Sequence, residues 1–178
     1  FMKRVLAFGA SSSKTSINKA LATYAANVME GVEVEILDLN DFEMPIFSVD
    51  REKEDGIHPL AFKFKEHLKS ADGILISFAE HNGAYSAAYK NIYDWASRIE
   101  KSFFYDKPLC LLATSPGPRG GMRVLDIAFN AYSFANKNLV TKFSLPSFYE
   151  NFKEGEGITN EELKTQLFVE LDKFKTAL

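Results

Sequence analysis

Five hydroxyl side chains crowd into six consecutive residues: Ser11, Ser12, Ser13, Thr15 and Ser16, with Lys14 among them. They follow an apolar run and open a segment of helical periodicity. The start of a helix leaves N–H groups without intrahelical partners and carries a partial positive charge. Hydroxyls beside such groups make a phosphate site. On this reading Ser11, Ser12, Ser13, Thr15 and Ser16, with Lys14, form an anion cradle. The stretch is neither a Walker A loop nor a Gly-x-Gly-x-x-Gly fingerprint. A second loop, Ala79, Glu80, His81, Asn82 and Gly83, follows the apolar run Gly73–Phe78. Asn82-Gly83 tolerates positive φ and turns tightly, so its backbone can face a flat polar ring. In a third loop Ser115, Pro116, Gly117, Gly120 and Gly121 let backbone approach a ligand, and prolines stiffen the segment.

The elements that must hold these loops are short. Strand-like runs lie at Arg4–Phe8, Val32–Leu37, Gly73–Phe78, Leu109–Thr114 and Leu139–Phe143. They are mostly continuous in Val, Ile, Leu and Phe, the pattern of strands covered on both faces. Helical periodicity marks Ser16–Glu30, Leu60–Ser70, Ser86–Ile99, Met122–Asn136 and Asn160–Leu178. Strict alternation argues an α/β fold with a parallel sheet between two helical layers. Five strands suggest the order 2-1-3-4-5, with a switch point between strands 1 and 3. All three loops then meet at one cleft. Asp38–Pro59 is the one long irregular connection, either a cleft or subunit contact or a solvated excursion.

The 178 residues suit one domain, read as 2–178, with Phe1 set aside before a Met2 initiator. A net charge of -3 gives no general attraction to nucleic acid or anionic membrane. No apolar run spans a bilayer and no secretory leader is legible, so a cytoplasmic protein is expected. Cys110 is the single cysteine and lies in an apolar strand, so it reads as a buried, inert thiol. The three histidines, His58, His67 and His81, share no metal-ligand spacing, and no metal is expected.

The chain resembles the NAD(P)H-dependent FMN reductases, flavodoxin-like flavoproteins that include azoreductases, chromate reductases and quinone reductases. The family's Gly-Ser-x-Arg-x-x-Ser-x-Asn matches Ala10–Asn18. Its Pro-Glu-Tyr-Asn-Gly-Ser followed by Lys-Asn-x-x-Asp-Trp matches Glu80, Asn82, Gly83, Lys90, Asn91, Asp94 and Trp95. Its Ser-x-Gly then Gly-Gly matches Ser115, Gly117, Gly120 and Gly121. Ser13 stands where the family has an arginine, and Ala79, His81 and Ala84 replace proline, tyrosine and serine.

The resemblance implies a flavodoxin-like three-layer sandwich and an FMN cofactor, with its phosphate at Ser11, Ser13, Ser16, Ile17 and Asn18, bonded by the side chains of Ser16 and Asn18. The ring would lie between Ala79–Ala84 and Ser115–Gly121, with His81 at its edge. NAD(P)H is implied as co-substrate, a small molecule (flavin, quinone, azo compound or metal oxyanion) as electron acceptor, and a homodimer or homotetramer as assembly. No obligate acid or base is assigned. Glu80 has the chemistry of a general acid or of a structural carboxylate. A flavodoxin-type electron carrier and a non-enzymatic flavin-binding domain remain alternatives. The aromatic residues after Ser86, with Phe103-Phe104-Tyr105, read either as subunit contact or as core.

Overall fold

The computed structural model describes residues 1–178. In chain order the first half holds β1 (Lys3–Ala10), α1 (Ile17–Asn27), β2 (Val32–Leu37), α2 (Val49–Asp55), α3 (Pro59–Ser70) and β3 (Gly73–Phe78). Next come a two-stranded hairpin, β4 (Glu80–His81) and β5 (Ala84–Tyr85), then α4 (Ala87–Ala96), β6 (Leu109–Thr114) and α5 (Met122–Ala135). The chain closes with β7 (Val140–Leu145), α6 (Phe148–Asn151), a second hairpin of β8 (Phe152–Lys153) and β9 (Gly157–Ile158), and α7 (Glu161–Thr176).

The central sheet has the order β2-β1-β3-β6-β7, all parallel. Counted by sheet strands alone this is 2-1-3-4-5, as the alternation implied. Ala10 pairs with Phe78, and Phe78 with Ala113, so the strands that feed the three loops end at one level. Inner strands β3 and β6 are buried on both faces. Edge strand β7 instead alternates, with Thr141, Phe143 and Leu145 buried and Lys142 exposed. That alternation carries β7 two residues past Phe143, where the sequence reading ended it.

One sheet face packs Leu6, Phe8, Ile74 and Ile76 against α3, α4 and α5. The other packs Val5, Ala7, Leu75 and Leu112 against α1 and α7. Helix α1 crosses β1 closely at Gly9, where a Cβ would stand 2.6 Å from Lys19 Cα. No larger residue fits there without moving α1 and the loop before it.

The Asp38–Pro59 connection is neither a loose excursion nor bare loop. It forms a 3-10 turn at Leu39–Phe42 and the helix α2, and it buries Leu39, Phe42 and Met44. Asn91 of α4 accepts from Phe47 N at 2.8 Å and donates to Met44 O at 3.0 Å, while Trp95 Nε1 donates to Pro45 O at 2.7 Å. The Lys-Asn-x-x-Asp-Trp run therefore works as a buckle for this strap. Tyr89, Trp95 and Phe104 are buried, so core packing is what most of the aromatic residues of this region serve.

Candidate active site

The first loop forms where β1 runs out. Ser11 Oγ accepts from Ser13 N at 3.1 Å, and Ser16 N donates to Ser13 O at 3.2 Å. Ser16 then caps α1, its Oγ accepting from Lys19 N at 3.1 Å. The N–H groups of Ile17 and Asn18 have no acceptor in the fold. Ser12, Ser13, Lys14 and Thr15 are exposed beside them. Two free N–H groups, a ring of hydroxyls and one ammonium fit a phosphate.

Asn18 departs from its expected role. It is buried, its Oδ1 accepts from Thr114 N at 3.0 Å and Ser77 Oγ at 2.7 Å, and its Nδ2 donates to Thr114 O at 3.2 Å. Helix α1 is thereby pinned across β3 and β6. With every polar atom of the side chain engaged inward, Asn18 offers the cradle only its backbone N–H.

The second loop is a two-residue hairpin with Asn82 at φ 52 and Gly83 at φ 77, the geometry expected of Asn-Gly. Ser86, which follows, caps α4 and donates from Oγ to Ala10 O at 2.7 Å, bolting the hairpin's exit to the first loop's entrance. Glu80 Oε2 accepts from Val124 N at 3.1 Å, at the start of α5. Its carboxylate thus couples the hairpin to the third loop and completes a helix end. His81 is exposed, and its ring has no hydrogen-bond partner within the fold.

The third loop is tied down along most of its length. Gly117 O accepts from Gly120 N at 3.2 Å and Ser147 N at 2.9 Å, and Phe148 N donates to Ser115 O at 3.0 Å. Gly120 has φ +55, and a Cβ there would stand 2.9 Å from the Leu145 carbonyl. Gly121 caps α5 in the left-handed region at φ 73. Gly117 is different: a Cβ on it would meet nothing within 4 Å, so its surface is open to a ligand.

The start of the helix after each loop faces the same end of the sheet. Lys14, Arg119 and Arg123 are the loop cations, and none is paired with a carboxylate. The lone acid of the loops, Glu80, is turned onto α5. The cleft therefore favours anions at both ends. Sequence reasoning missed Arg123, whose guanidinium lies beside the Gly83 turn, 3.6 Å from where a Cβ would be. Only the docking of α5 onto the hairpin reveals it. Beneath the hairpin Tyr89 Oη and Tyr132 Oη share a 2.5 Å hydrogen bond, and burial holds both phenols well above their ordinary pKa, hence neutral.

A doubly wound parallel sheet of this order, with polar and glycine-rich loops after its first, third and fourth strands, defines a flavodoxin-like fold. The family described as NADPH-dependent FMN reductase matches residues 3–149. The chain belongs to that family, whose members are NAD(P)H-dependent oxidoreductases with FMN as their flavin. An NADPH:quinone oxidoreductase of Arabidopsis thaliana is 30% identical over 98% of this chain and 93% of its own length. An NADPH azoreductase of a Bacillus species is 31% identical over 70% of this chain and 65% of its own. The flavoenzyme FerB, an NAD(P)H:(acceptor) oxidoreductase of Paracoccus denitrificans, shares the fold with a TM-score of 0.75. It is 24% identical, over 98% of this chain and 96% of its own.

Proposed function

We propose that the protein transfers hydride from NAD(P)H by way of FMN to a small acceptor, of the quinone, azo, metal-oxyanion or free-flavin kind. The observation that carries this reading is the level alignment of the three loops. The free N–H groups of Ile17 and Asn18, with Ser11, Ser13 and Ser16, would hold the phosphate. Lys14 supplies charge where the family's arginine is missing. Backbone of Ala79–Gly83 and the open surface of Gly117 would hold the ring, with Ser115, Pro116, Gly120 and Gly121 setting that surface from behind. FMN, when bound, supplies the two-electron chemistry, and the chain supplies position and electrostatics. Glu80 serves the architecture, since its carboxylate holds Val124 N. Arg123 and His81 border the ring end, where they would stabilise negative charge.

Exposed apolar side chains, Ile46 and Val49 on the strap and Phe134 at the end of α5, support assembly as a homodimer or homotetramer. The deciding experiment is the visible spectrum of purified protein with and without added FMN, followed by NAD(P)H oxidation with a quinone. A flavin spectrum, FMN as the flavin released by heat, and ping-pong kinetics are expected, because donor and acceptor would use the same ring face in turn. Colourless protein that takes up no FMN would remove the reading. Flavin binding without NAD(P)H oxidation would leave an electron carrier.

A further inference from the structure

A groove of about 940 Å³ opens beside the phosphate loop, between the outer face of α1 and the segment running from α6 to β9. Its near end is formed by Lys14 and Ser16, residues of the first loop, so the groove adjoins the anion cradle proposed there. One wall carries Thr23 and Tyr24 of α1, and the other carries Tyr149, Phe152 and Glu154. The volume lies in the range of small-molecule sites, about 300–1,000 Å³.

The second wall is an aromatic platform on a fixed backbone. Phe148 stacks on Phe152 at 4.7 Å, Tyr24 meets Phe152 edge-on at 5.7 Å, and Tyr149 meets Phe148 edge-on at 5.4 Å. The Phe148 N–H is held by Ser115 O at 3.0 Å, which joins the platform to the third loop. Yet the Tyr149 residue is 72% exposed. An exposed aromatic ring on an anchored segment is a stacking surface for a flat heterocycle. At the near end Lys14 has no carboxylate partner, whereas Lys19 is held by Asp38 at 2.5 Å. Thr23 and Glu154 stand along the walls with hydrogen-bonding capacity for hydroxyl groups. The groove walls thus bring together a cation, hydrogen-bonding side chains and an aromatic face, the three kinds of group that phosphate, sugar and base require.

We infer that this groove binds an adenosine 5′-phosphate group belonging to a molecule whose other half occupies the ring cleft. The inference rests on the proposed position of the flavin phosphate at the start of α1. Two molecules carry such a group next to the right partner: NAD(P)H, with its nicotinamide over the ring, and FAD, whose flavin half would sit where FMN sits.

Tyr149→Ala is the main test, because its exposure makes the variant neutral for folding; Thr23→Trp, which fills the groove from α1, is the second. In the holoprotein, kcat/KM is measured with NADH, NADPH and reduced nicotinamide mononucleotide, which lacks the adenylate. In the apoprotein, FMN and FAD are titrated. Both variants are expected to lose about tenfold in kcat/KM for the dinucleotides, through KM, with turnover of the mononucleotide and FMN affinity unchanged. A fall in FAD affinity relative to FMN, with the donor ratio intact, would keep the site and assign its adenylate to the flavin. Unchanged ratios in both assays would overturn the inference. Titration of apoprotein and Tyr149→Ala with 5′-AMP keeps the two proposals apart. Wild-type binding that the variant loses would support the groove even if the protein oxidised no NAD(P)H, and absence of wild-type binding would count against it.

Discussion

In the loop Ser11–Ser16 the hydroxyls of Ser12, Ser13 and Thr15 make no bond within the fold, whereas in Ser115–Gly121 most of the distinctive atoms do. Gly120 sits under the Leu145 carbonyl, Ser115 Oγ donates to Gly117 O at 3.2 Å, and Gly117 O gathers further bonds from Gly120 and Ser147. Both loops look rich in ligand-binding residues as sequence. One keeps its polar groups free and lets the helix start recruit the anion. The other uses them to build a rigid shelf and leaves open space over Gly117. Residue type announces what an atom can do, and packing decides whether it is available.

Asn18 crosses the divide, and its removal should have the largest effect. Asn18→Ala strands Thr114 N, Thr114 O and Ser77 Oγ in a buried place, where each unpaired group costs about 1–3 kcal/mol. A loss of about 3 kcal/mol in the urea unfolding of the apoprotein is expected. Flavin affinity per folded molecule should fall far less, since the Asn18 backbone N–H remains. A large affinity loss with little change in stability would return Asn18 to the phosphate.

The glycines of the third loop give the next test. Gly120→Ala should destabilise by about 2 kcal/mol, from crowding against β7 and a left-handed φ. Gly117→Ala should leave unfolding unchanged and weaken flavin binding through the ring. Equal behaviour of the two variants in paired melts and flavin titrations would erase the distinction between shelf and surface.

Much of this fold was legible because its signals are local. Continuous apolar runs gave both ends of β3 and β6, and the Val32–Leu37 run gave those of β2. The Asn82-Gly83 turn followed from its own chemistry. What stayed hidden depends on partners distant in sequence. Asn18 meets Thr114 across 96 residues, and Glu80 meets Val124 across 44. No pattern within a window contains such pairs. The strap of Leu39, Phe42 and Met44 was obscured for a related reason: its apolar residues are spaced irregularly and interrupted by acids.

Ser16 is predicted to act on both sides of the comparison at smaller cost. Its hydroxyl accepts from Lys19 N and keeps its own proton for an anion. Ser16→Ala should lose about 1 kcal/mol of stability as a lost helix cap and about 1.5 kcal/mol of flavin binding as a lost charged hydrogen bond. Apoprotein melting and flavin titration separate the two. If only stability falls, Ser16 is a cap and nothing more.

The smallest effect belongs to the ion pair behind the first loop. Lys19 Nζ lies 2.5 Å from Asp38 Oδ2, and Asn40 N donates to the same carboxylate at 2.9 Å. Lys19 first and the Asn40 N–H second hold the Asp38 carboxyl at about 2, below its ordinary 3.8. A depressed carboxyl stabilises the fold above its unfolded pKa and loses that contribution as pH falls through its folded one. The window is therefore from 3.8 down to about 2. The two side chains are 36% and 34% exposed, so solvent screening limits the contribution to about 1 kcal/mol. Asp38→Asn should melt a few degrees lower at pH 7, with the gap closing through that window and narrowing in high salt. The variant also frees Lys19, one turn into α1 from the cradle. If the phosphate loop is the anion end, flavin affinity should hold or rise as stability falls. A drop in both would mean that the pair positions the loop, and that the free hydroxyls depend on bonds behind them as the third loop does.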